Sequence, residues 1–153
     1  MKKFILAFAM LFSFAPAFLF SSEKILNTMK EKLDSEFYVS YISDELFQKI
    51  KGKSYSSGCT VPLSDLRYVH VLHWNFDGKE SVGEIICSAK IAEKLVRIFR
   101  KLYSYNYEIE KIRLIDEYGA DDEASMRDNN SSCFNFRFIS HTKKISMHGA
   151  GLA

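Results

Sequence analysis

The stretch Leu66–Ser88, LRYVHVLHWNFDGKESVGEIICS, decides the fold class. Its first half is dense in β-branched and aromatic residues, and SVGEIICS is a shorter run of the same kind. Between them lies Asp77-Gly78, a pair that tolerates the backbone angles of a chain reversal, so the two runs read as a hairpin or a strand-loop-strand unit. Ser88 can then cap a helix reaching about Tyr103. Ile91, Leu95, Ile98, Phe99 and Leu102 fall on one face of that helix, and Lys90, Lys94, Arg97 and Lys101 face water.

Working outward from this unit, YEIEKIRLIDEYG (107–119) alternates well enough to predict another strand, ADDEASMRD (120–128) a short acid-started helix, and SCFNFRFIS (132–140) a third strand-like run. Upstream, Ile25, Leu26, Met29 and Leu33 are spaced for a helix over 22–37. SDELFQKIKG (43–52) reads as a short helix opened by Ser43 and closed by Gly52, and YSSGCTVPLSD (55–65) as a loop. The order implies an α+β fold, a small antiparallel sheet backed by helices. No internal repeat interrupts it.

The first 22 residues are of another kind. Lys2 and Lys3 precede an uncharged apolar stretch from Phe4 to Phe14, and Ala15-Pro16-Ala17 supplies the small-x-small pattern of a cleavage site, so residues 1–22 read as a signal peptide processed near Ala17. An uncleaved anchor is the alternative, because no charge appears until Glu23; either reading exports the remainder to the periplasm or cell envelope. The expected organisation is then signal peptide 1–22, helical segment and linker 23–62, and a main domain 63–153.

Twenty-one basic against nineteen acidic residues give a net charge of +2, with the basic residues dispersed. Such a surface argues against nucleic acid, which is bound by clustered basic charge, and nothing predicts a stable protein partner. The wide spacings of Cys59, Cys87 and Cys133 match no zinc-knuckle pattern. They read as small, largely buried apolar residues whose pairing the sequence leaves open.

Among the histidines, His70 and His73 lie three apart on a strand-like run and so point to opposite faces, which argues against a ligand pair. His141 sits in a polar turn with Thr142, Lys143 and Lys144. His148 stands apart: Gly149 and Gly151 let the backbone come close to whatever the ring touches, and Ser146 can orient the ring or cap the turn. A hydrolytic zinc site needs three protein ligands and an open position for water, so one histidine is not enough.

Three ordered segments, 65–103, 107–140 and the ending ISMHGAGLA (145–153), together resemble the D-alanyl-D-alanine carboxypeptidase-like zinc peptidases of bacteria, over roughly Leu63 to Ala153. The most specific parts are Asp121-Asp122 to Arg137 and the Ser-x-His-x-x-Gly-x-Ala ending. The resemblance implies a zinc-dependent cell-wall hydrolase that cuts peptide bonds of peptidoglycan stem peptides next to a D-amino acid, with His148 as a metal ligand. It also implies that the remaining ligands, an aspartate seven residues on and a second histidine, lie beyond Ala153 with the general-base carboxylate. The domain would be C-terminally incomplete and this chain alone inactive.

Arg137 resembles the arginine that faces the oxyanion or the substrate carboxylate in such peptidases, a task suited to a permanently charged, bidentate guanidinium. Its alternative is a pair with Asp121 or Asp122. Those aspartates do not follow a calcium-loop pattern and read as a capped helix start bracing the site. Ser132 is expected to touch substrate. Two other readings compete: a non-catalytic envelope protein that keeps the peptide-binding cleft, and a cysteine hydrolase using Cys133 with His148 or His141. The last is disfavoured because Cys133 precedes a strand-like run and lacks a helix N-terminus to activate it.

Overall fold

The computed structural model describes residues 15–153, with side chains described from residue 22 onward; residues 1–14, which hold the basic start and apolar stretch of the expected signal peptide, lie outside the described residues. The chain divides into two units, 1–35 and 36–153. Of the first, helix α1 (Ala15–Glu36) is described up to the boundary, and Ile25, Leu26 and Met29 on it are exposed. No described helix is long and apolar enough to cross a membrane.

In the second unit, β1 (Tyr38–Ser40) leads into α2 (Asp44–Ile50), whose first turn is capped by Ser43 Oγ accepting from Leu46 N at 3.2 Å. Strands β2 (Leu66–Trp74) and β3 (Glu80–Ser88) form the hairpin, and with β1 they make an antiparallel sheet of order β1-β2-β3. The register pairs Leu66 with Ser88 and Trp74 with Glu80. A five-residue loop, rather than a two-residue turn, joins the strands. Asn75 organises it, its Oδ1 accepting from Asp77 N at 3.1 Å and Lys79 N at 2.9 Å. That is an Asx-type solution to the reversal.

Helix α3 (Ala89–Ser104) opens where Ser88 Oγ accepts from Lys90 N at 3.3 Å. It packs against the sheet through buried Ala92 and Val96. Near its end the Tyr103 ring stacks on Trp74, with centroids 5.4 Å apart, and its carbonyl accepts from Trp74 Nε1. The lysines and Arg97 assigned to water are exposed.

Two expected strands are replaced by irregular structure. In 107–119 only β4 (Lys111–Ile112) is strand; Leu114 and Ile115 are both buried, which breaks the alternation, and residues Ile115–Tyr118 form a 3-10 turn. Asp116 holds that turn from inside, accepting from Ser54 N at 3.0 Å and Ser54 Oγ at 2.9 Å. After α4 (Asp122–Arg127), the chain forms β5 (Asn130–Ser131), parallel to β4. The run 132–140 forms no strand: Phe134 N donates to Ile86 O, Asn135 N to His148 O and Phe136 N to Ser54 O, three different segments, and only Phe138 makes an isolated antiparallel bridge, with Ile145. It acts as a strap across the molecule.

That strap carries the centre of the core. Phe134 and Phe136 cluster with Ile50, Leu66, Ile86 and Leu114, and each buried phenylalanine contributes about 1.5–3 kcal/mol. Phe47, Tyr55 and Val61 pack against the same cluster, so residues 36–62 fold with 63–153 as one unit.

Candidate functional site

The strap, α4 and the C-terminal turn converge on one cleft of about 270 Å³, lined in part by Asp122, Ser125, Ser132, Arg137 and His148. The three residues singled out in the sequence, Ser132, Arg137 and His148, therefore share a site. Helix α4 positions Asp122 because Asp121 caps it, accepting from Glu123 N at 2.9 Å and Ala124 N at 3.2 Å. Capping consumes Asp121, which leaves Asp122 to face the cleft.

Two glycines let the C-terminal turn settle on the strap. A Cβ on Gly149 would stand 2.5 Å from Arg137 O, and Gly151, at φ +64°, brings its backbone so close to Ser88 that a Cβ would meet the amide nitrogen at 2.8 Å. Ser146 caps the turn rather than orienting the ring: its Oγ accepts from Gly149 N at 2.9 Å. What orients His148 is the strap. Its Nδ1 lies 2.9 Å from Cys133 O. A carbonyl can only accept, so Nδ1 carries the proton and the neutral ring keeps its lone pair on Nε2, the arrangement a metal-ligating or proton-accepting histidine requires.

Arg137 Nη1 lies 2.5 Å from Asp122 Oδ2, which realises the pairing alternative. The contact is an ion pair and not a directed hydrogen bond, since buried Nη1 has no aligned acceptor. Nη1 itself is buried, but both side chains remain more than a third exposed, so the rest of the guanidinium is the part a ligand anion can reach. Asp122 Oδ1 is fixed separately, accepting from Asn135 Nδ2 at 2.9 Å. The same amide donates to Ala120 O, and Asn135 N donates to His148 O. Asn135 thus ties the cation-bearing half of the cleft to the histidine half. Sequence reading missed it; the available signal was an asparagine between two phenylalanines of the core, where a buried amide needs partners.

In the cleft wall, Asn130 Nδ2 donates to Ser125 Oγ and to Arg113 O, while Arg113 N donates to Asn130 Oδ1 at 2.7 Å. Lys111 and Tyr118 both hold Asp128.

The other candidates sit elsewhere. His70 Nδ1 bonds Glu36 O and His73 Nδ1 bonds Ile109 O, so the H-x-x-H rings have separate partners. His141 is exposed in its turn. All three cysteines are free thiols, Cys87 and Cys133 buried. Burial pushes the Cys133 thiol up to about 11, the opposite of an activated nucleophile, and it is the Cys133 carbonyl that meets His148.

Among the described residues no three His, Cys, Asp or Glu side chains lie close enough together to hold a metal ion. His148 alone does not make a hydrolytic zinc site, and the described residues do not by themselves fit the metal. What they offer is an oriented imidazole, a guanidinium with spare donors and a serine hydroxyl around one cleft. No family model matches the chain, and no curated protein or solved structure is significantly similar to it.

Proposed function

We propose that this cleft is the substrate side of a zinc-dependent cell-wall peptidase of the D-alanyl-D-alanine carboxypeptidase type, exported to the envelope and acting on peptidoglycan stem peptides. The observation that carries the reading is the convergence of His148, its Nδ1 held by Cys133 O, with Arg137 in one cleft. Arg137 receives the terminal carboxylate of the peptide, exchanging part of its pairing with Asp122 for it, and Ser132 hydrogen-bonds the peptide backbone. His148 contributes one zinc ligand. With no further ligand cluster among the described residues, the 153-residue chain binds such peptides and leaves them intact.

The experiment is an assay of the chain with added zinc on peptides ending in D-Ala-D-Ala, beside a version extended with a C-terminal segment of the resembled family and its His148→Ala variant. Turnover by the extended version alone, lost on His148→Ala, is the expected result. Turnover by the 153-residue chain that His148→Ala abolishes would overturn the ligand count. The second reading, a non-catalytic envelope protein that keeps the peptide cleft, is favoured by the same lack of a ligand cluster. It predicts peptide binding with no turnover in either version.

A further inference from the structure

A second pocket, of about 280 Å³, opens between β1, α2 and the β2–β3 hairpin, walled in part by Tyr38, Tyr41 and Tyr68 and by Glu45, Lys49 and Glu84. It shares no lining residue with the His148 cleft. From its composition and ring geometry we infer that it is a binding site for a neutral saccharide, which stacks a pyranose face on Tyr41 or Tyr38 and presents its hydroxyls to Glu45, Lys49 and Glu84.

Both tyrosine rings are braced on one face and remain exposed to solvent. Tyr38 stacks on His70, with centroids 4.9 Å apart and planes within 9°, and His70 is itself fixed by Glu36 O at 2.8 Å. The Arg67 guanidinium lies 4.1 Å from the centre of the Tyr41 ring, which is 73% exposed. Rings held in this way offer apolar area with little freedom left to lose on binding. At the β2–β3 wall the Tyr68 hydroxyl donates to Glu84 Oε1 at 2.7 Å, which orients the carboxylate and leaves its second oxygen as an acceptor. Burial and Glu84 together push the Tyr68 phenol up, so this donor stays protonated.

The remaining ligand classes fit poorly. Two carboxylates in the lining repel an anion. A lipid-like ligand would find one aliphatic side chain, Leu46, in an otherwise aromatic and polar wall. An organic cation would meet two like charges, the Lys49 ammonium in the lining and the Arg67 guanidinium over one face of Tyr41. A pyranose has an apolar C–H face and a rim of hydroxyls that both donate and accept. It matches exposed aromatic rings bordered by carboxylate acceptors and an ammonium donor.

The test titrates the full chain with chitotetraose, cellotetraose and maltotetraose, following amide shifts of Tyr38, Tyr41 and Lys49 by NMR. Saturable binding of at least one, weakened about tenfold by Tyr41→Ala or Tyr38→Ala and retained in the corresponding phenylalanine variants, is the expected result. Tyr41 is exposed, so Tyr41→Ala should keep the wild-type circular dichroism. Arg137→Ala should leave saccharide binding unchanged, which separates this site from the peptidase reading. Absence of saturable binding by all three sugars, binding that neither alanine variant weakens, or tighter saturation by tetramethylammonium at the same residues would overturn the inference.

Discussion

His148 Nδ1 donates to the main-chain carbonyl of Cys133 across 2.9 Å, so the orientation of the one imidazole in the cleft depends on the strap and not on a neighbouring side chain. The bond is made to backbone, and substitutions of the Cys133 side chain should leave it in place. Nitrogen-15 NMR of the neutral His148 ring should show a protonated Nδ1 and an unprotonated Nε2, in wild type and in Cys133→Ala alike. A protonated Nε2 in the neutral ring would remove the basis for a ligand role.

Asn135 is the second element of the same arrangement. Replacing it by alanine removes the buried amide that donates to Ala120 O and Asp122 Oδ1, and leaves those acceptors without that donor. The expected destabilisation is about 1–3 kcal/mol, measured as a shift in the urea midpoint with the slope unchanged. Peptide affinity should fall as well, because Asp122 is then free to follow Arg137.

Gly149→Ala should be costly for a different reason. The added methyl meets Arg137 O at 2.5 Å and Ile145 Cγ2 at 2.9 Å, and the first of these is backbone, so the turn must lift from the strap. Overpacking of this kind costs about 1–3 kcal/mol. A urea midpoint equal to wild type would mean that the C-terminal turn is not seated on the strap in solution.

Where local chemistry decided structure, the sequence was readable. Ser43, Ser88 and Asp121 each cap the helix assigned to them, and the β-rich runs on either side of Asp77-Gly78 pair along their length. Residues 132–140 alternate as a strand would, but the hydrogen-bond partners of Phe134, Asn135 and Phe136 come from three separate segments, a non-local fact no periodicity encodes. His148, Arg137 and Ser132, singled out through the family resemblance, line one cleft. Asn135 was missed since its side-chain partners lie 13 and 15 residues away. The tyrosine pocket stayed hidden for the same reason, its walls being drawn from β1, α2 and both strands of the hairpin.

The Lys111–Asp128–Tyr118 cluster predicts the pH limits of stability. Lys111, and after it the Tyr118 hydroxyl, hold the Asp128 carboxyl below its usual value. A depressed carboxylate adds stability at neutral pH that is lost as pH falls below 3.8 and through the folded value. Burial first, and then Asp128, pushes the Tyr118 phenol up from 10.0 to about 12. A raised phenol contributes fully below pH 10 and loses its contribution as pH climbs toward 12. Urea midpoints against pH should form a plateau that drops at both ends, and Asp128→Asn should soften the acid side. An acid limb unchanged in Asp128→Asn would show that other carboxylates govern it.

The ion pair between Arg137 and Asp122 makes a prediction about binding in which the two partners act in opposite directions. If Arg137 receives a peptide carboxylate, Asp122 competes for the same guanidinium from 2.5 Å away. Asp122→Asn keeps an oxygen for Asn135 Nδ2 but removes the competing charge, so peptides with a free C-terminal carboxylate should bind more tightly. Arg137→Lys keeps the charge and loses the fork that can hold two carboxylate oxygens at once, and should weaken the same peptides by about 10- to 100-fold, the worth of a charge-assisted hydrogen bond. Neither substitution should alter the affinity of a C-terminally amidated peptide, which has no carboxylate to lose. Calorimetric titration of the acid and amide forms of one D-Ala-D-Ala peptide against the three proteins measures all six affinities. Equal losses for both forms in Arg137→Lys would mean that Arg137 braces α4 through Asp122 and does not read the ligand's charge.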